Sequence, residues 1–243
     1  MAIGWDVASY GAATGNVTLS HTCTGSNLVL VVGISDRDGG NNGDFVTGVT
    51  YNGVAMTRVE TNTPTALYCT NWIYILVGPE TGTHDVVVST NASHSLQVTS
   101  ASYTGCKQTD QPDAHNNVYS ALEDYGLALT TVADNCWVVS FASEYYQPFT
   151  SVTNGTDRTG VNSTVAKLAD SNGVITPAGA YTITWNVTDL TYHNKTVVQC
   201  SIAPATAAAG PANLKTYNTN AKANIKTINT NNINNVKTLN TNA

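Results

Sequence analysis

Charge is scarce in this chain: Asp, Glu, Lys and Arg together make up 11% of its 243 residues. Thr, Ser, Asn and Gly fill the space, which suits a pleated β surface better than a helical one. No run of eighteen apolar residues occurs, which excludes a helix long and apolar enough to cross a membrane. The five cysteines, Cys23, Cys69, Cys106, Cys136 and Cys200, include no C-x-x-C pair, so the common zinc spacings are absent. Their odd number also prevents complete internal pairing. Cys136 and Cys200 lie inside the apolar stretches NCWVVSFAS and TVVQCSIA, which points to buried free thiols, with one or two disulfides as the alternative. Five histidines are scattered singly, without the i, i+2 or i, i+4 pairs of a transition-metal site. No G-x-S-x-G or comparable nucleophile element is present. The start, MAIGWDVASYGAATG, lacks the basic-then-apolar build of a secretory signal, so either a mature form or export by another route is expected, and Met1 favours the second.

Between Asn16 and Ala203 the chain is a succession of short β-type runs broken by turn residues. NLVLVVGIS, LYCTNWIYILVG, HDVVVST, NCWVVSFAS and TVVQCSIA are examples. In AYTITWNV, Ala180, Thr182 and Thr184 point one way and Tyr181, Ile183 and Trp185 the other. Asn52-Gly53, set between two such runs, signals a tight hairpin. The expectation is an all-β chain: a single two-sheet sandwich of jelly-roll type over 1–203, a Pro/Ala linker over 204–212 and an ordered repeat tail over 213–243. Residues 36–44, 107–125 and 144–160 would be loops at the ends of the sandwich.

The tail is the most specific feature. NLKTYNTN from Asn213, NIKTINTN from Asn224 and NVKTLNTN from Asn235 recur with a period of eleven. Eleven residues make three helical turns, and Leu214, Tyr217, Ala221, Ile225, Ile228, Asn232, Val236 and Leu239 then form one stripe. Strict β alternation fits less well, because apolar residues fall at i and i+3. Helix propensity opposes the stripe, since the many Asn and Thr cost about 10 kcal/mol relative to Ala. Burying the seven stripe side chains other than Asn232 returns roughly 10–15 kcal/mol. Order therefore requires a partner surface, whether the tail is helix or strand. The tail carries Lys215, Lys222, Lys226 and Lys237 and no acid, whereas the rest holds six bases against all sixteen acids, a split of +4 and −10. The tail has one aromatic residue and no Arg, which disfavours nucleic acid, and the nearest large anion is another copy of the chain. A tail lying on a neighbour's body is a heterologous contact, which propagates into rings or helical filaments. A parallel bundle of three tails would instead crowd the rows of Lys215, Lys226 and Lys237. Folding of the tail onto its own body is the third arrangement.

VTLSHTCTGSNLVLVVGIS (17–35), VTGVTYNGVAMTRV (46–59), VTSASYTG (98–105) and the tail motif resemble β-sandwich proteins of bacteriophage and environmental bacteria that carry N-I-K-T-I-N-type repeats. The chain is also similar in style to extracellular fibril subunits. It departs from the repeat pattern at the repeat ends, where Thr-Asn stands in place of Gly-Val. The resemblance implies a virion or surface structural role without assigning a site.

Candidate chemistry is sparse. Asp36, Asp38, Asn41 and Asp44, in SDRDGGNNGD, offer oxygen ligands for Ca²⁺, although the loop lacks the closing Glu of an EF-hand; the alternative is a Gly/Asn-rich connection. Asp113 and His115 offer a base with its orienter, and His84-Asp85 a weaker pair. Tyr145, Tyr146 and Phe149, in SEYYQPF, offer aromatic faces for a glycan or a protein partner, or pack on their own loops. The expected function is a non-enzymatic structural subunit that assembles through its tail into an extracellular fibril or a virion appendage. Its partners would be copies of itself, with no nucleic acid, no membrane insertion and no organic cofactor. The alternative is a receptor- or glycan-binding tip trimerised by the tail.

Overall fold

The computed structural model describes residues 1–36, 43–63, 69–120, 125–159, 165–187 and 195–205. The chain divides into two compact units, Met1–Thr206 and Ala207–Ala243. The second, which holds all of the repeat residues named above, lies outside the described residues, as do Asp38 and Asn41.

Among the described residues there is no helix, and the elements are strands. The first nine are β1 (Gly4–Thr14), β2 (Val17–Cys23), β3 (Val29–Asp36), β4 (Val46–Tyr51), β5 (Val54–Ala55), β6 (Thr57–Asn62), β7 (Thr70–Val77), β8 (Gly82–Thr90) and β9 (Ser95–Thr104). The remainder are β10 (Ala114–Ser120), β11 (Tyr125–Thr130), β12 (Trp137–Glu144), β13 (Phe149–Thr153), β14 (Thr156–Asp157), β15 (Ala166–Asp170), β16 (Ala180–Val187) and β17 (Lys195–Ile202).

Among the described residues all pairing is antiparallel, in four sheets: β1-β9-β3-β7-β6, β2-β8-β4-β5, β10-β17-β12-β15-β14 and β11-β16-β13. Four sheets thus stand where two were expected. The reason lies in the burial patterns. β3 and β12 are buried at all eight positions, so both of their faces are covered, whereas β2 alternates between buried and open positions as a strand with one wet face must. Three apolar cores separate the layers. Leu30, Val32, Ile34 and Trp72 meet Val49, Tyr51, Val86 and Val88 between the first two sheets. Val31, Ile73 and Tyr103 meet Val139, Phe141, Leu168 and Cys200 between the two five-stranded sheets. Val138, Ala142 and Val197 meet Ile183, Trp185 and Val187 between the last two.

The topology is duplicated. β1–β4 and β6–β9 recur, neighbour for neighbour, as β10–β13 and β14–β17, and β5 alone has no counterpart. Registers agree as well: β3 begins at Val29 opposite Tyr103, and β12 at Trp137 opposite Ile202. Each of these strands is preceded by an Asn at positive φ, Asn27 (52°) and Asn135 (63°), a conformation that Asn tolerates better than most residues. The contacts β17 to β7 and β9 to β15 are the same pair with the halves exchanged, so the halves meet about a pseudo-two-fold axis. Gly33 and Phe141 occupy equivalent positions and face each other across it. A Cβ on Gly33 would run into the Phe141 ring, so a residue without a side chain is required there.

Candidate functional site

Carboxylates recur at equivalent places in the two halves, and each closes a loop. Asp6 accepts hydrogen bonds from the Thr24 N–H (2.8 Å), the Thr24 hydroxyl and the Ser102 hydroxyl (2.7 Å). Asp113 accepts from the N–H groups of Val132 (2.7 Å) and Ala133 (3.0 Å) and from the Ser201 hydroxyl (3.1 Å). Ser102 and Ser201 pair with Leu30 and Val138, the second residues of β3 and β12, so the two arrangements are one motif used twice.

Asp113 and His115, which the sequence offers as a base with its orienter, have other partners. The Asp113 carboxylate is occupied as above, and His115 Nδ1 lies 2.8 Å from Glu60 of the other half. His84 Nε2 lies 3.3 Å from the Thr81 carbonyl oxygen.

Asp36 and Asp44, two of the four candidate Ca²⁺ ligands, are engaged elsewhere. Asp36 is buried, with His94 Nδ1 at 2.6 Å and the His94 ring against Phe45. Asp44 accepts from Trp72 Nε1 at 2.9 Å and from Arg58 at 2.6 and 2.7 Å. Among the described residues no group of three or more His, Cys, Asp or Glu is arranged to hold a metal ion.

The aromatic loop needs a correction. Phe149 is only 5% exposed and packs on Trp185, with ring centroids 5.1 Å apart, so it belongs to the core and offers nothing to a glycan. Its place as the first residue of β13, in register with Val187, turns it inward. Tyr145 and Tyr146 stand edge to face at 4.8 Å, and Tyr146 is 43% exposed.

Two buried polar groupings carried no sequence signal of their own. In the first half His21 Nδ1 lies 2.9 Å from Ser100 Oγ and 3.1 Å from Ser9 Oγ. Burial pushes its pKa down to about 4, partly offset by the nearby Asp6 charge. Ser100 is itself fully buried, so the contact is a packing arrangement and not an accessible nucleophile. The second grouping joins the halves. Asp170, fully buried, accepts from Arg158 Nε (2.8 Å) and Nη2 (3.0 Å) and from the Tyr103 hydroxyl (3.1 Å). The Arg158 guanidinium also lies over the Trp5 ring, 4.7 Å from its centroid. Burial, followed by the Asp170 charge, raises the Tyr103 pKa and keeps its hydroxyl a donor. Nearby, Asn71 donates to the Thr196 carbonyl oxygen and accepts from the Ser143 hydroxyl, both at 2.7 Å.

All five cysteines are buried, and Cys23, Cys106, Cys136 and Cys200 are free thiols. Burial pushes the thiols of Cys106, Cys136 and Cys200 up to about 12, which makes them poor nucleophiles at neutral pH.

The outer face of the β11-β16-β13 sheet is uncharged. With Ile183 and Trp185 turned inward, the residues that alternate outward are Gly126, Ala128, Thr182, Thr184, Asn186, Ser151 and Thr153. Asn186 Nδ2 donates to the hydroxyls of Ser151 (2.8 Å) and Thr153 (3.0 Å), which knits the face together. On the other outer sheet, an open hollow is lined by Asn52, Gly53, Thr83, His84, Asp85 and Val87. Compared with known protein families, curated proteins and solved structures, the chain gives no match.

Proposed function

We propose that this protein is a non-enzymatic structural subunit whose C-terminal repeat docks on neighbouring copies and builds a helical fibril or a virion appendage outside the cell. We read each half of the body as a jelly roll, because strands alternate between paired sheets in the wrapped order of that fold. The observation that carries the function is the threefold period of eleven in a segment of +4 charge, attached to a body of −10. Such a segment gains order from a large, complementary, repeated surface, and the body of another copy is one. The body suits load-bearing: its halves are joined by an apolar core and by buried hydrogen bonds such as those of Asp170 and Asn71.

Sedimentation of the full chain over a range of concentrations tests this. Growth with concentration, reduced in high salt as the tail–body attraction is screened, is the expected result. A full chain that stays monomeric at every concentration and salt would defeat the proposal.

The second reading is a receptor- or glycan-binding tip, favoured by the Tyr145–Tyr146 pair, of which Tyr146 is exposed. Glycan binding lost on Tyr146→Ala, by a protein that forms discrete trimers, would select it.

A further inference from the structure

Resting on that structural role, we infer that the outer edge of β13 receives the repeat segment of a neighbouring copy as an added β-strand. The two halves differ at this edge. In the first half Val54, Ala55 and Met56 lie between the Asn52-Gly53 turn and β6. They give β4 a partner, with Thr50 opposite Ala55, Tyr51 opposite Val54 and the Met56 N–H donating to the Val49 carbonyl oxygen at 2.8 Å. In the second half the turn is Asn154-Gly155, and β14 begins at the next residue and pairs with β15 in the neighbouring sheet. The β11-β16-β13 sheet therefore ends at β13, which has no strand on its outer side among the described residues.

The other sheet edges among the described residues are covered or short. β1 lies against β2 and β10 against β11, where Asn116 Nδ2 donates to the Ala128 carbonyl oxygen at 2.8 Å. β6 lies beside β10, bridged by Asn62 to Asn117 and by His115 to Glu60. β5 and β14 have two residues each. β13, by contrast, is five residues long, FTSVT, with no charge and no Pro; it touches β14 and β15, and its one edge-blunting feature is the register irregularity between Phe149 and Ser151.

The repeat segment has a matching unit. Lys215–Thr219, Lys226–Thr230 and Lys237–Thr241 read KTYNT, KTINT and KTLNT, each five residues long. In an extended conformation, Thr and Asn at positions two and four face one way, and the central Tyr217, Ile228 or Leu239 faces the other between the flanking Lys and Thr of positions one and five. β13 has the same alternation: Val152 turns to the core, in register with buried Trp185, and Ser151 and Thr153 face out. An added pentapeptide would place its apolar residue beside Val152 and its Thr and Asn beside Ser151 and Thr153, extending the uncharged outer face. Main-chain hydrogen bonds supply the attachment, and the single apolar position sets the register. Three copies of the unit in one segment raise its effective concentration at the edge.

Hydrogen–deuterium exchange of the full chain, dispersed and assembled, tests the assignment. Expected is a slowing of about tenfold or more for amides within 149–153 in the assembled form only, because pairing shields them from solvent. Assemblies in which 149–153 exchange at the dispersed rate while another segment slows would overturn the docking site and leave the structural role standing. Equal protection of 149–153 in the dispersed monomer would mean that the chain supplies the strand to itself, and would overturn the neighbour as donor. Absence of assembly under all conditions would remove the structural role and, with it, this inference.

Discussion

Asp6 and Asp113 do the same work in the two halves: each holds a loop through three hydrogen bonds to its carboxylate. Hydrogen bonds to a charged acceptor contribute more than neutral ones, so Asp6→Ala and Asp113→Ala should each destabilise the body by about 2–3 kcal/mol. Denaturant titration of the two variants checks this, and a large effect for one with none for the other would break the equivalence. His21 supplies a pH signature. Its folded pKa of about 4 lies below the unfolded value of 6.5, so between these pH values the unfolded chain binds a proton that the native chain does not. Stability from this residue is complete above pH 6.5, declines as the pH falls towards 4 and is lost below, by roughly 3 kcal/mol in all. His21→Gln should flatten the profile of melting temperature between pH 4 and 6.5; an unchanged slope would show that other groups set it. The Asp36–His94 pair shows how little such contacts declare themselves in sequence: they are 58 residues apart, and nothing local to either marks the other.

At the scale of elements, the interface between the central sheets carries the largest expected effects. Arg158→Ala would leave the Asp170 carboxylate buried without its cation, a change that costs about 3–5 kcal/mol, whereas Tyr103→Phe removes one hydrogen bond and costs about 1 kcal/mol. Gly33→Val would press a branched side chain into the Phe141 ring, at a cost of about 1–3 kcal/mol or more. Thermal melts rank the three variants, and a Gly33→Val protein as stable as the parent would contradict the close packing of β3 on β12. Much of the strand content was legible, because runs such as AYTITWNV and the Asn52-Gly53 turn follow directly from pleat geometry and turn chemistry. The layer count was less so. NLVLVVGIS and NCWVVSFAS are apolar without alternation, which marks strands covered on both faces; taken as ordinary sandwich strands, they imply two sheets instead of four. Phe149 was misplaced for a related reason: SEYYQPF has the composition of a loop, but the phase of β13 against β16 turns its last ring into the core.

At the scale of the whole molecule, duplication organises the body, yet it is nearly invisible in the chain. The equivalent strands VLVVGISD and WVVSFASE share identical residues only at Val31/Val139 and Ser35/Ser143, because each position has to satisfy only burial and complementary volume. Gly33 opposite Phe141 illustrates this, since the two halves meet by differing. The eleven-residue repeat is the opposite case, with near-identical copies, as expected where each unit meets the same kind of surface. Charge differs in the same sense: the repeat segment is basic and the rest of the chain acidic, which on the proposed reading favours contact between unlike parts of different copies. Such contacts propagate when they do not close.

Electron microscopy of the full chain beside a chain ending at Thr206, at equal concentration, tests the central claim most directly. Regular filaments from the full chain alone are the predicted result, and dispersed single particles in both samples would contradict it.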